Sequence, residues 1–186
     1  MLRLACGEDI MDAEPADTGA HEGWGPMRSR TVAWHDPGPT TAKILAMAGV
    51  DGIRAIIDGV LPVPPMESQM KFDFVEVEPG RVVVTFTPDE SAYNGFGVVH
   101  GGLLCALLDV VTGCALHSTL PQGKGYTSID IKVNYLRAVS IKSGLLTATG
   151  TVVKSGLRVG FTEGVVVDGS GKPVATATSS LLVFDL

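Results

Sequence analysis

Asp109 is the only charged residue between His100 and His117, and its neighbours include Leu104, Leu107, Leu108, Val110 and Val111. A carboxylate among apolar side chains is costly without partners, so Asp109 is expected to be buried for a purpose. Such a group acts as a general base or as a nucleophile on an acyl carbon. An Asp tied to a backbone or hydroxyl group for structural reasons is the competing reading. Eight residues earlier, Gly101-Gly102 opens the same apolar run. Glycine admits a ligand close to the backbone, and a helix start offers unpaired N–H groups that suit a developing oxyanion, such as a thioester carbonyl under attack. A tight turn packed against a strand explains the pair as well. Asn94 and His100 bracket the glycine-rich loop before the helix. An amide and an imidazole there can orient each other or a substrate carbonyl, although turn chemistry and loop hydrogen bonds account for each separately.

Other patterns are weaker. Gly95-x-Gly97-x-x-His100 lacks the third glycine of a dinucleotide fingerprint, and no βαβ unit follows it. Cys105 lies one helical turn before Asp109, but without an obvious His partner it reads as a small apolar residue. His117 has no third metal ligand in view, and no Gly-x-Ser-x-Gly elbow is present.

These residues need a long helix and something to bury it. The 186 residues are 45% hydrophobic, enough for one cored domain with an appendage. The net charge of −6, with no Lys/Arg cluster, argues against a nucleic-acid or anionic-membrane surface. Three cysteines, Cys6, Cys105 and Cys114, form no C-x-x-C pair, which fits a reducing cytoplasm. The first fifteen residues carry no apolar core of a secretory signal. Val98 to Leu120 is apolar enough to suggest a membrane span, but the central Asp109 and the lack of an aromatic belt favour a loop end and a buried helix over about 101–119.

Residues 1–38, rich in Gly, Pro and acids, read as an irregular arm, with Trp34-His35-Asp36-Pro37 as its anchor. A short helical extension follows over 39–64. Thr40 or Thr41 is expected to cap its first helix and Asp51 its second, and Pro62-Val63-Pro64-Pro65 to stop helical structure. Over 65–186 the period changes to two. Phe72 and Phe74 alternate with polar residues, the phase slips at Val75 as a bulge would make it, and Pro79-Gly80 favours a reversal into Val82, Val84 and Phe86. After the helix come strands over 126–136, 144–153, 158–167 and 173–184, in an antiparallel run with reversals at Gly156 and Asp168-Gly169-Ser170-Gly171. A helix apolar on every side needs a sheet curled round it.

Four words, Tyr93-Asn94-Gly95, Val99-His100-Gly101-Gly102, Leu107-Leu108-Asp109 and Val133-Asn134-Tyr135-Leu136-Arg137, resemble the PaaI-like branch of the hot-dog thioesterases, over about 64–184. The resemblance implies an α+β hot-dog fold, a curled antiparallel β-sheet wrapped around one long central helix, here with an N-terminal extension. It implies an acyl-CoA thioesterase without metal or organic cofactor, assembled as a homodimer or as a homotetramer built from two dimers. By the resemblance Asp109 is the base or nucleophile, the Gly101 N–H polarises the carbonyl, and Asn94 and His100 orient substrate and loop. Ser128 is the assisting hydroxyl, with Thr127 as the alternative. Gly102, Thr127, Arg137, Lys154 and Arg158 are weaker substrate contacts, the three cations toward acyl-CoA phosphates. Aryl, short-chain and medium-chain acyl groups all fit, on CoA or on a carrier protein's pantetheine arm. A binding module without turnover is the runner-up. A dehydratase is disfavoured because no His follows Asp109 until His117.

Overall fold

The computed structural model describes residues 23–186, and Cys6 with the rest of the arm before residue 23 lies outside them. The chain divides into two units, Met1–Thr31 and Val32–Leu186. In the first, the described residues form no helix or strand. Among the described residues, the second carries every regular element. Helices α1 (Pro37–Leu45), α2 (Gly49–Ile57) and α3 (Pro65–Met70) precede strands β1 (Phe72–Glu78) and β2 (Arg81–Phe86). The long helix α4 (Gly101–His117) follows, then β3 (Lys124–Tyr135), β4 (Leu146–Lys154), β5 (Val159–Val167) and β6 (Pro173–Asp185).

The early helices start differently from the sequence expectation. Trp34 is 55% exposed and anchors nothing by burial. Asp36 caps α1 instead of Thr40 or Thr41: its Oδ1 accepts from the Gly38 N–H at 2.9 Å, and Pro37 takes the first helical position. Proline is suited there because its missing N–H would have no helical partner. For the same reason Pro65 opens α3 rather than ending helical structure. Asp51 sits in the first turn of α2, which starts after Ala48, and pairs with Arg54 at 3.4 Å. The buried Gly49, Gly52 and Ile53 form one stripe of α2, at the i, i+3, i+4 spacing of an amphipathic helix.

The six strands form one antiparallel sheet in the order β1-β2-β4-β5-β6-β3. β1 and β2 pair with a register shift between Phe74 and Glu76, the bulge that the phase slip at Val75 implies. The four later strands do not run as a simple meander. β4 joins β2, while β3 crosses to the far edge and pairs only with β6. α4 lies across the middle of the sheet. Leu104, Leu107, Leu108, Val111, Ala115 and Leu116 are buried beneath it with Val82, Val84, Phe86, Leu146 and Val166. The approach is close because β4 has a glycine at the crossing. A Cβ on Gly150 would stand 2.0 Å from the Val111 carbonyl oxygen, so any side chain there drives helix and sheet apart.

α2 docks on the other end of α4. A Cβ on Gly49 would lie 1.8 Å from the His117 carbonyl oxygen, and the Gly49 N–H donates to the Leu120 carbonyl at 3.0 Å. Burial at this junction lowers the His117 pKa, and its Nδ1 is buried without a hydrogen-bond partner. Unfolded His117 takes up a proton near pH 6.5 while the folded residue still resists it. The unfolded state therefore binds more protons as the pH falls through that window, and stability drops. Glu67 on α3 works the other way. Burial raises its pKa, so its contribution is lost as the pH rises above 4.5. Between about pH 7 and pH 5 wild type is expected to lose melting temperature relative to His117→Leu, which lacks the buried imidazole but keeps Glu67, as measured by thermal melts of both at each pH.

Candidate active site

Asp109 is half-buried, not enclosed as its apolar neighbours suggested. The sheet curls round one side of α4 and covers 104, 107, 108, 111 and 115, whereas Gly102, Cys105, Ala106, Asp109 and Val110 stay partly or fully accessible on the opposite side. An α-helix with a single sheet against it has such an open stripe at i, i+3, i+4 and i+7. The carboxylate therefore stands on an accessible apolar surface.

Its partner comes from β3. The Ser128 hydroxyl donates to Asp109 Oδ1 at 2.8 Å. Thr127, the neighbour of Ser128 on an extended strand, points to the other face. β3 carries a register shift between Ser128 and Asp130 against β6. This bulge moves the phase of the strand. Tyr126 and Ser128 turn toward α4 before it, whereas Ile131 and Val133 pack on the core after it. Bulges re-aim side chains next to functional sites in this way.

At the helix start, His100 is the N-cap of α4, and its Nδ1 accepts from the Gly102 N–H at 2.9 Å. That leaves the N–H of Gly101, at the first helical position, without a helical acceptor. The missing side chain of Gly101 has a packing reason as well. A Cβ there would stand 3.2 Å from the Tyr135 ring, and the Tyr135 hydroxyl donates to the Gly101 carbonyl at 3.0 Å. Asn94 builds the preceding loop: its Oδ1 accepts from the Phe96 N–H at 2.9 Å and the Val98 N–H at 3.5 Å. Asn94 and His100 are thus brought to one loop, each with its acceptor atom engaged by backbone. Tyr135 was missed in the sequence as a site residue. It lies in one of the quoted words, but only the bulge in β3 brings it onto the helix start.

The candidate cations divide. Arg137 lines a surface cleft of 320 Å³ with Gly101 and Tyr135, and its guanidinium donates to the Pro173 carbonyl. Lys154 and Arg158 flank the β4–β5 reversal at the other end of α4, where the Thr119 and Ser155 hydroxyls meet at 3.4 Å. One chain does not bring them to Gly101. Both described cysteines are free thiols, and burial pushes the Cys114 thiol up to about 12. Among the described residues no helix is long and apolar enough to cross a membrane.

This arrangement has counterparts. The Thioesterase superfamily matches residues 96–175, the stretch that contains the loop, α4 and β3 to β5. Acyl-coenzyme A thioesterase 13 of Homo sapiens is 29% identical over 93 residues, 50% of this chain and 65% of that one. Across the first four curated relatives the chain spans 55% to 70% of their length. The crystal structure of a Streptococcus mutans protein bound to acetyl CoA is 29% identical, with a TM-score of 0.57, and covers 61% of this chain and 89% of that one. The Escherichia coli PaaI protein, from the phenylacetic acid degradation operon, shares the fold at a TM-score of 0.64 and 23% identity, over 73% of this chain and 95% of that one. Residues 96–175 thus match the Thioesterase superfamily, and the six-stranded sheet curled on one long helix is the hot-dog fold that the structural neighbours share.

Proposed function

We propose that this chain hydrolyses acyl-CoA thioesters on the open face of α4, with Asp109 as the attacking or activating carboxylate. The observation that carries the reading is the 2.8 Å hydrogen bond from Ser128 to Asp109 on an accessible apolar surface. A hydroxyl that donates to one carboxylate oxygen fixes its rotamer and leaves the other oxygen for chemistry. As a nucleophile, Asp109 attacks the thioester carbon, the C–S bond breaks, CoA leaves as the thiolate and takes a proton from solvent, and water hydrolyses the resulting anhydride. As a base, it takes a proton from the water that attacks the same carbon. In both routes negative charge develops on the carbonyl oxygen, and the Gly101 N–H at a helix start is the group suited to receive it. His100 holds the cap and Asn94 the loop that present this N–H. Two of the named relatives agree in chemistry, one as an acyl-CoA thioesterase and one in complex with acetyl CoA. Arg137, which lines the cleft beside Gly101, would meet a CoA phosphate there. Lys154 and Arg158 serve only in an assembly that brings the end of one α4 toward the start of another.

A thiol-release assay over a panel of acyl-CoA substrates tests the reading. Release above the spontaneous rate with at least one of them supports it, and tight binding with no release from any would leave a binding module. Within an active enzyme, Ser128→Ala is expected to lower kcat by up to ~10²-fold without abolishing it, because a positioning hydroxyl does not itself make or break the acyl bond. Thr127→Ala is expected to leave kcat within a few-fold of wild type. The reverse pattern would move the role to Thr127.

A further inference from the structure

A cavity of 310 Å³ lies where α1 and α2 cover the C-terminal half of α4, and Ile44, Ile53 and Ile56 from these helices face Phe74, Cys114 and Phe184 across it. We propose that this cavity receives the acyl chain of the substrate, which makes the N-terminal helices the determinant of chain length: an alkyl or single-ring acyl group of roughly six to twelve carbons, given that a ~150 Å³ apolar cavity holds one benzene. The proposal rests on the acyl-CoA reading above.

Three observations lead there. The first is chemical. Glu67, His117 and Lys124 are the ionisable side chains at the wall besides Cys114 and Tyr126. Lys124 is paired with Asp185 at 2.6 Å. Burial raises the Glu67 pKa and lowers that of His117, so both are pushed toward the uncharged forms that an apolar guest requires.

The second is position. Cys114 follows Asp109 by five residues on α4, ~7.5 Å along the axis. Tyr126, on the opposite wall, precedes Ser128 by two residues on the same face of β3. The cavity and the Ser128–Asp109 pair are thus neighbouring stations along one helix–strand seam. In this proposal a chain of several carbons running from a carbonyl at Asp109 turns aside the Tyr126 ring, which packs against Gly113, to reach the cavity, while an acetyl group ends short of it.

The third is how the roof is held. Gly49 seats α2 against the His117 carbonyl, as described above, and Gly52 on the same stripe leaves open the space next to Ile44. A Cβ at Gly52 would meet Ile44 at 3.6 Å, an ordinary contact. Position 52 therefore accepts a side chain, which would occupy part of the cavity.

Non-hydrolysable S-alkyl-CoA thioethers separate this proposal from the catalytic one. By calorimetry S-octyl-CoA is expected to bind wild type at least ~tenfold more tightly than S-ethyl-CoA, because each further buried methylene favours binding. Gly52→Leu is expected to abolish that preference and leave S-ethyl-CoA binding unchanged. Ile56→Phe serves the same purpose if Gly52→Leu does not fold. Equal affinities for the two thioethers in wild type, or a preference that survives both filled variants, would overturn the cavity assignment. Chain-dependent binding without thiol release from any acyl-CoA would retire the hydrolase reading and leave the cavity in place. Hydrolysis with an unaltered chain-length profile in Gly52→Leu would do the reverse.

Discussion

Asp109→Asn is expected to reduce thioester hydrolysis to the spontaneous rate while the fold and the oligomeric state of wild type, whatever its size, survive. The replacement keeps the side-chain volume and still offers an amide oxygen to the Ser128 hydroxyl, so the 2.8 Å contact can persist. It removes the basic lone pair that either route needs. Loss of a catalytic base costs ~10²–10⁴-fold, and loss of a nucleophile costs at least as much. Because Asp109 is half-buried with its one recorded side-chain partner retained, the stability change is expected to stay within ~1 kcal/mol. Thiol release is measured beside thermal melting and size-exclusion chromatography. Hydrolysis within a few-fold of wild type would remove Asp109 from the chemistry. Inactivity together with unfolding would give it a structural role instead.

The sequence made the helix legible because α4 is one apolar run with a single charge, and the strands legible because Phe72 to Phe86 and the C-terminal third keep a period of two. It also marked the first bulge, where the apolar phase visibly slips at Val75. The second bulge, in β3, left no such trace. Between Ser128 and Asp130 the exposed residues are mixed in polarity, so the phase change that aims Ser128 at Asp109 and Tyr135 at Gly101 is visible only in the pairing with β6. Burial of Asp109 was overestimated for a related reason. An apolar helix face looks the same in sequence whether a sheet or a second molecule covers it. The helix caps were misplaced because Asp36-Pro37 competes with Thr40 and Thr41 on equal terms until the chain direction is known. The sheet order is the other feature that local pattern does not carry. That β3 crosses to the far edge depends on contacts with β6, some fifty residues later in the chain.

We propose that a second chain covers the open stripe of α4 and the far edge of the sheet. β3 ends the sheet on one side, and Ile129, Tyr135 and Leu136 on or just beyond it are more than half exposed. A long sheet edge with exposed apolar side chains is normally covered, paired or interrupted by charges. The helix supplies a functional reason for pairing. Gly101 and Asp109 are eight residues apart on α4, ~12 Å along its axis, so one thioester carbonyl cannot accept from the first-turn N–H and be attacked from Asp109 of the same helix. Two α4 helices antiparallel across a two-fold axis place each helix start opposite the other chain's Asp109, which gives two identical sites. Chain mixing is expected to expose this arrangement. Gly101→Val forces the Tyr135 ring away from the helix start, since even a Cβ would approach it to 3.2 Å. Asp109→Asn removes the carboxylate. Each variant alone is expected to be inactive. After the two are unfolded, mixed in equal amounts and refolded, half of the dimers are mixed. In each of these one site combines an intact Gly101 with an intact Asp109, and the other collects both defects. Roughly a quarter of wild-type activity is then expected to return. If each site belonged to one chain, every site in a mixed dimer would still carry a defect. No recovery, with mixed dimers confirmed by native mass spectrometry, would therefore exclude the shared site.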